Sequence, residues 1–453
     1  DPNAVTLLAI IIGRIVQALG AGALVPVSLA LVGDLFPAAR RAQPLGIIGA
    51  VDTLGWVLGH LYGGIMVKYF SDHAESFINF FRQIGLNWGA PDWRALFWIN
   101  VPITIFAILL TWWALRNVPM LRAKGRFDLI GTLLIVAALI CLVIGMGANV
   151  EISSSTTSFD ELSQIPPYAG PLLLAAAVLF VLFIFVERRV KDPLFDLHMF
   201  KQRNLSAGLV TNLFVGFCLM IGLVSVPVLV NVRLLQTDAT NMREAALAVG
   251  ILLSALTVPM AIAAIPGGWL TDRIGYRPTA VGGLLLALVG FLLIWQTWTI
   301  DIANELIAVE MALVGIGLGL TFSPISAAVI NSATRDRRGA ASALVIILRL
   351  LGMTISMAGL TTFATQRASA LAMAELGSTV VDPVAAANVY VGIIVHVLAE
   401  LGLVGAIICA FAAAAAMLLH GKGGADEVGE SIDALSDTKP RPMAQAAREL
   451  SRP

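Results

Sequence analysis

Charge is scarce in this sequence. Only 13% of its 453 residues are Asp, Glu, Lys or Arg, while 58% are hydrophobic, and mean hydropathy is +0.87. A soluble domain carries about twice that share of charge, so a water-exposed globular fold is excluded. Acidic and basic residues balance at 29 each, which removes the global basic field of a nucleic-acid binder. There are only three cysteines, Cys141, Cys218 and Cys409, all inside apolar runs. They form no disulfide or metal-binding pattern. The five histidines are scattered. That argues against a sequence-local metal set, and against the clustered His, Asp or Cys that a membrane transferase would need. No signal peptide precedes the first apolar run, and Asp1 stands where Met would be expected. The expectation is a fragment whose N-terminal part is missing.

What is present is long apolar runs. About 20 such residues cross the ~30 Å hydrocarbon core. Eleven stretches qualify: 4–33, 44–67, 95–115, 128–148, 168–187, 205–231, 244–270, 279–298, 306–330, 340–365 and 389–419. In lipid every backbone N–H and C=O needs an internal partner, so the spans are predicted as helices and the fold as an all-α polytopic membrane bundle. Alternate loops hold sixteen basic residues, among them Arg40, Arg41, Arg188, Lys201, Arg273 and Arg337. The opposite loops hold six: Lys68, Arg82, Arg94, Arg233, Arg243 and Arg367. This bias places the basic loops and the C-terminal tail inside. The outside loop 69–94 carries Phe70, Phe77, Phe80, Phe81 and Trp88 and is expected at the outer interface. The polar tail 421–453 is expected to be disordered.

The chain also repeats itself. Gly20-Ala-Gly22, Pro26-Val-Ser28 and Arg40-Arg41 are echoed by Gly317-Leu-Gly319, Pro324-Ile-Ser326 and Arg337-Arg338. Repeated helical blocks build many secondary transporters, with the substrate site between the halves near the midplane.

Three motifs then carry a resemblance. Arg14-Ile-Val-Gln17-Ala-Leu-Gly20-Ala-Gly22 resembles the fourth-helix motif of the major facilitator superfamily. An Arg about ten residues into a span is costly and needs a cavity or a buried partner, unless it snorkels to the interface. Gly46, Gly55, Gly59-His60 and Gly63-Gly64 are similar to the antiporter motif of the fifth helix. Here His60 stands where the family usually has proline, which removes the expected kink. The glycine stripe serves either antiport or plain helix packing. Gly268-Trp-Leu-Thr-Asp272-Arg273-Ile-Gly275-Tyr-Arg277 resembles the cytoplasmic G-x-L-x-D-R-x-G-x-R motif in its second-half copy. It reads as a gate latch between the halves or as a positive-inside turn, and the two are compatible. Asp92-Trp93-Arg94 with Phe97, Asn100 and Pro102 resembles the entry to the sixth helix. Arg126-Phe-Asp128-Leu-Ile-Gly131 resembles the start of an extra helix pair.

Within the superfamily the sequence looks like the fourteen-span drug:proton antiporter branch, lacking its first three helices. The resemblance implies the remainder of an N-terminal half over 1–115 and an extra helix pair with linkers over 116–204. It implies a six-helix C-terminal half over 205–420 and a tail over 421–453.

Four charges lie at membrane depth: Arg14, Asp52, Glu310 and Arg349. Asp52 lies eleven residues after Arg41, and Arg349 eleven after Arg338, so they hold pseudo-equivalent positions with opposite sign. Asp52 is a candidate proton carrier about nine residues, ~12 Å, into its span, with Arg14 expected as its neighbour. The alternative is an Asp52–Arg14 pair that only fixes helices. Glu310, a turn inside its span, is expected either in the cavity or at the interface. His396 and Glu400 share a helix face and are expected at the outer rim.

The leading reading is a proton-coupled exporter of amphipathic drugs or small organic compounds. A transporter of lipid-like or metabolite cargo is the alternative, and a membrane enzyme is the third, disfavoured one. The expected partners are the lipid bilayer and a small amphipathic substrate. No nucleic acid, catalytic residue, metal or cofactor is expected, and the proton is the expected coupling ion. A monomer in the plasma (inner) membrane with a cytoplasmic C-terminal tail completes the expectation.

Overall fold

The computed structural model describes residues 2–85, 88–91, 94–117, 128–146, 168–191, 193–234, 242–334, 337–375 and 383–421. Expectations for loop 149–167, Asp92-Trp93, Arg126, Arg335 and the tail beyond 421 fall outside these residues.

Among the described residues there are twelve α-helices and no strand. The helices are α1 Pro2–Leu35, α2 Ala42–Asp72, α3 Ala74–Gln83, α4 Ala95–Leu115, α5 Leu129–Gly145 and α6 Ala169–Glu187. They continue with α7 Arg203–Leu234, α8 Met242–Ile274, α9 Tyr276–Thr297, α10 Asn304–Asn331, α11 Arg338–Glu375 and α12 Pro383–Ala416. Each of the eleven expected spans is a helix. Nine of them are long and apolar enough, among the described residues, to cross a membrane. Of the two others, α5 has 17 described residues, rising about 26 Å, at the short end of what crosses a bilayer. The other helix outside the nine is α2, 31 residues long.

Buried hydroxyls show how a polar group survives in such a fold. Thr53 donates to Gly49 O, Thr211 to Ala207 O, Ser225 to Ile221 O and Thr257 to Leu253 O, each one turn back. No polar group is left facing an apolar neighbour at these positions.

The main core lies among α7–α12 with the end of α1 and the start of α2 against it, centred on Phe291, Leu256, Met311, Ile325, Leu29 and Leu45. Glycines set how closely helices approach. A Cβ at Gly315 or Gly319 on α10 would run into the α8 carbonyls of Leu256 and Met260. Gly216 and Gly352 do the same for α7 and α11. Small residues at such crossings let backbones meet and gain dispersion contact, the main attraction between helices in lipid. A second core of Phe183, Phe195, Met199, Leu205, Val329 and Val345 fastens α6 and the segment after it to α7, α10 and α11. By contrast, α4 has no buried residue and α1 is exposed from Leu8 to Leu24. These apolar faces need surroundings other than water.

The amphipathic α3 follows α2 directly, and Phe70, Phe77, Phe81 and Trp88 form a chain of ring contacts along it. Helix α11 runs ten residues beyond the expected end of its span. The stretch after Thr365 is rich in alanine, which continues a helix past the apolar limit that hydropathy marks. Arg367, expected in a loop, therefore sits on α11. It grips Glu400 of α12 with two nitrogens at 2.7–3.0 Å, and His396 Nε2 lies 3.3 Å from the same carboxylate.

Candidate functional site between the two helical halves

The basic loops gather at one end of the bundle, where the two halves clasp. Arg41, at the start of α2, donates to Asn331 Oδ1 (2.6 Å) at the end of α10 and to Phe36 O (2.8 Å). Arg338, at the start of α11, donates to Gly33 O (2.9 Å) and Asp34 Oδ1 (3.2 Å) at the end of α1. Asp34 lies seven residues before Arg41, and Asn331 seven before Arg338. The two contacts are therefore the same contact made twice, once by each copy of the repeat.

Beside this clasp α2 and α8 touch backbone to backbone. A Cβ at Gly46 would collide with Ala264 O, and one at Gly268 would lie 2.6 Å from Ala42 O. Ser323 Oγ of α10 donates to Ala42 O. Asp272 Oδ2 accepts from the Gln43 N–H (3.3 Å), so a carboxylate of one half meets the N-terminus of α2 in the other. An anion there complements the positive end of the helix. The rest of that motif stays on its own half. Arg273 stacks on Trp269 at 3.9 Å, Arg277 is exposed, and Gly275 makes the α8–α9 turn at φ +97°, which favours glycine.

Ten residues along α2, about 15 Å from its start, lies Asp52. Its Oδ2 is 3.7 Å from Arg349 Nη1 of α11. Arg349 lies over the Phe322 ring at 4.5 Å, and that ring fills the space left by Gly49. The Arg349 Nε is buried without an acceptor, so the guanidinium is only partly satisfied. The pair borders a cavity of about 80 Å³ lined by Thr53, Leu219, Leu223, Thr257, Met260 and Met353. Six side chains thus offer mainly aliphatic and thioether surface around one ion pair.

The structure brings together Asp52, Arg349, Gly46, Gly268 and Asp272, and it separates the rest. Arg14 is corrected: it is exposed on α1, bonds Gln17 at 3.2 Å and lies 5.3 Å from the Phe97 ring, while Asp52 pairs with Arg349 instead. On the same span, no described atom lies within 4 Å of where a Cβ at Gly20 or Gly22 would stand. Gly55 and Gly59 likewise have no described atom within 4 Å of where a Cβ would stand, so among the described glycines of that stripe Gly46 alone is closely packed. His60, Gly63 and Gly64 continue α2 without a break, and their surroundings lie outside the described side chains. Glu310, a buried-charge candidate, holds two neighbouring donors. It is fully buried and accepts from Trp298 Nε1 (2.9 Å) and Thr297 Oγ1 (2.5 Å), tying α10 to the end of α9. Sequence reasoning missed Asp34, Asn331 and Phe322. The first two carried a signal, their equal distance from the paired arginines.

Comparison with known proteins agrees with this architecture. The sequence matches the Major Facilitator Superfamily over residues 4–236 and 214–419. It is 34% identical over 358 residues to a triacylglyceride transporter of Mycobacteroides abscessus, covering 77% of this chain and 62% of that one. It is 33% identical to a triacylglyceride transporter of Mycolicibacterium smegmatis, covering 78% of this chain and 58% of that one. With a triacylglyceride transporter of Mycobacterium tuberculosis it shares 32% identity over 430 residues, 91% of this chain and 76% of the relative. The chain thus spans about three fifths of the length of the first two relatives. By the family match the chain belongs to the major facilitator superfamily.

Proposed function

We propose that this chain forms the transporting body of a secondary transporter for lipid-like, amphipathic molecules. The observation that carries the reading is the Asp52–Arg349 pair. It joins the two halves near the midplane within an otherwise mostly apolar cavity. Such a lining suits acyl chains, while the ion pair supplies a polar latch that cargo or a proton can displace. The relatives named for triacylglyceride transport support lipid-like cargo over drugs. On this reading the basic end faces the cytoplasm of a plasma membrane, with the tail on the same side. Arg41, Arg338, Asp272 and the Gly46–Gly268 crossing act as its gate, closed here. When the halves part, Asp52 loses Arg349 and takes a proton instead, since an unpaired carboxylate at that depth is costly.

Proton-driven drug export is the second reading, favoured by the same carboxylate. The two are separated by reconstituting the full-length protein and measuring transfer of a labelled triacylglycerol and of a lipophilic cation, each with and without a proton gradient. Triacylglycerol transfer without cation export supports lipid cargo. Gradient-driven cation export without lipid transfer would establish the drug reading.

A further inference from the structure

Away from the inter-half pair, two carboxyls meet where α5 and α6 come together. Asp128 is the N-cap of α5: its Oδ1 accepts from the Gly131 N–H at 2.9 Å, and its backbone carbonyl accepts from Thr132 Oγ1. Glu187 ends α6, and its Oε1 accepts from the Phe195 N–H in the segment leading to α7. One oxygen of each group is thereby used. The others, Asp128 Oδ2 and Glu187 Oε2, are buried and have no donor. Both residues are more than nine-tenths buried. The two free oxygens point at the same place. A Cβ at Gly131 would collide with Asp128 Oδ2 and lie 3.0 Å from Glu187 Oε2, and the carboxyls are within hydrogen-bonding reach of each other.

Two ionised carboxylates facing each other in a buried site repel strongly, so something positive belongs between them. A metal cation would need about six oxygen ligands. Among the described residues the surroundings offer N–H donors instead, from Gly131 and Phe195, and two free carboxyl oxygens. We infer that Asp128 and Glu187 share one proton, forming an acid–carboxylate hydrogen bond that clasps the α5–α6 pair to the segment before α7.

The remaining charged groups around the pair fit this assignment. Arg337 lies near Glu187 but donates to Pro193 O at 2.7 Å. Asp196 and His198 pair with each other, and Arg188, Lys191 and Lys201 line the outer walls. These walls border an open hollow of about 690 Å³ that Glu187 also lines. Loss of the proton leaves two like charges. It pushes Glu187 off Phe195 and frees the segment 188–202 that links the extra helix pair to the C-terminal half.

The folded chain holds a shared proton that the unfolded chain does not, and the clasp is lost with that proton, so stability falls as pH rises. The experiment is thermal unfolding of the detergent-solubilised protein across about pH 5–9, for the unaltered chain, Asp128→Asn and Glu187→Gln. The unaltered chain is expected to lose stability with a slope of about one proton. Each amide supplies the missing N–H permanently, so both variants should lose that slope and exceed the parent at high pH. A slope unchanged in both variants, no slope in the parent, or stabilisation of the parent by magnesium or calcium would overturn the proposal. If neither variant folds, amide hydrogen exchange of segment 188–202 in the unaltered chain decides. Protection lost beyond the intrinsic rise with pH is expected, and protection that holds to high pH would overturn it.

Discussion

Asp52 and Arg349 occupy the same place in the two copies of an internal repeat, and their side chains meet at 3.7 Å. Each lies eleven residues after an arginine that clasps the opposite half, Arg41 or Arg338. A contact between equivalent positions falls on the pseudo-two-fold axis that relates the halves. Identical residues there would bring like charges together, so opposite signs are what allows the axis to carry an ion pair. The clasp at the basic end is made twice, off the axis, and the pair is made once, on it.

The two clasps differ in environment, which predicts unequal costs. Arg41 is buried and donates to a neutral amide and a carbonyl, whereas Asp34, the carboxylate beside Arg338, is partly exposed. Arg41→Ala should cost about 1–3 kcal/mol by stranding buried acceptors. Asp34→Ala should cost less than about 1 kcal/mol, because that ion pair is solvent-screened. Thermal unfolding of the two variants in one detergent compares them; equal losses would contradict the ranking.

Gly46→Val introduces carbon where Ala264 O already stands. The closed basic end cannot form around it. Single-cysteine labelling at Ala42, which is buried in the closed form, should rise several-fold in this variant, while Gly55→Val, at an open position, should leave labelling unchanged. Equal labelling in both would show that the crossing at Gly46 does not hold the gate.

Asp272→Ala removes the acceptor facing the N-terminus of α2. An anion at such a position contributes about 0.3–1 kcal/mol. The closed state should therefore lose up to about fivefold in population, read as faster labelling at position 42 with little change in unfolding temperature. A large drop in unfolding temperature would mean that Asp272 holds the fold rather than the gate.

Glu310 is predicted to matter for stability and not for coupling. Glu310→Ala strands the Trp298 indole N–H and should cost about 1–3 kcal/mol. Glu310→Gln keeps an acceptor for Trp298 and should transport under a proton gradient as the parent does. Loss of proton dependence in Glu310→Gln, with normal folding, would make Glu310 a coupling residue.

Much of this was legible in the sequence because lipid leaves few options. Apolar runs gave the helices, and the paired arginines gave the repeat. The matching positions of Asp52 and Arg349 were visible as spacing alone. What spacing could not give was the partner. Arg14 lies at broadly similar depth on an adjoining helix, and depth says nothing about the face a side chain takes. That depends on packing: Gly49 leaves room for Phe322, and Phe322 supports Arg349 toward Asp52. Helix ends were missed for a related reason. Hydropathy marks the membrane, while an alanine-rich stretch carried α11 beyond it and set Arg367 against Glu400.

The central claim is that Asp52 and Arg349 act as one unit across the two halves. The most direct measurement is lipid transport by the full-length protein carrying Asp52→Arg, Arg349→Asp, or both. Each single change sets like charges face to face at mid-membrane depth and should abolish transport. The exchanged pair restores an attraction in the same place, so the double variant should recover a substantial share of parental activity, a non-additivity that marks direct coupling. A double variant no more active than either single one, at equal expression and folding, would contradict the account.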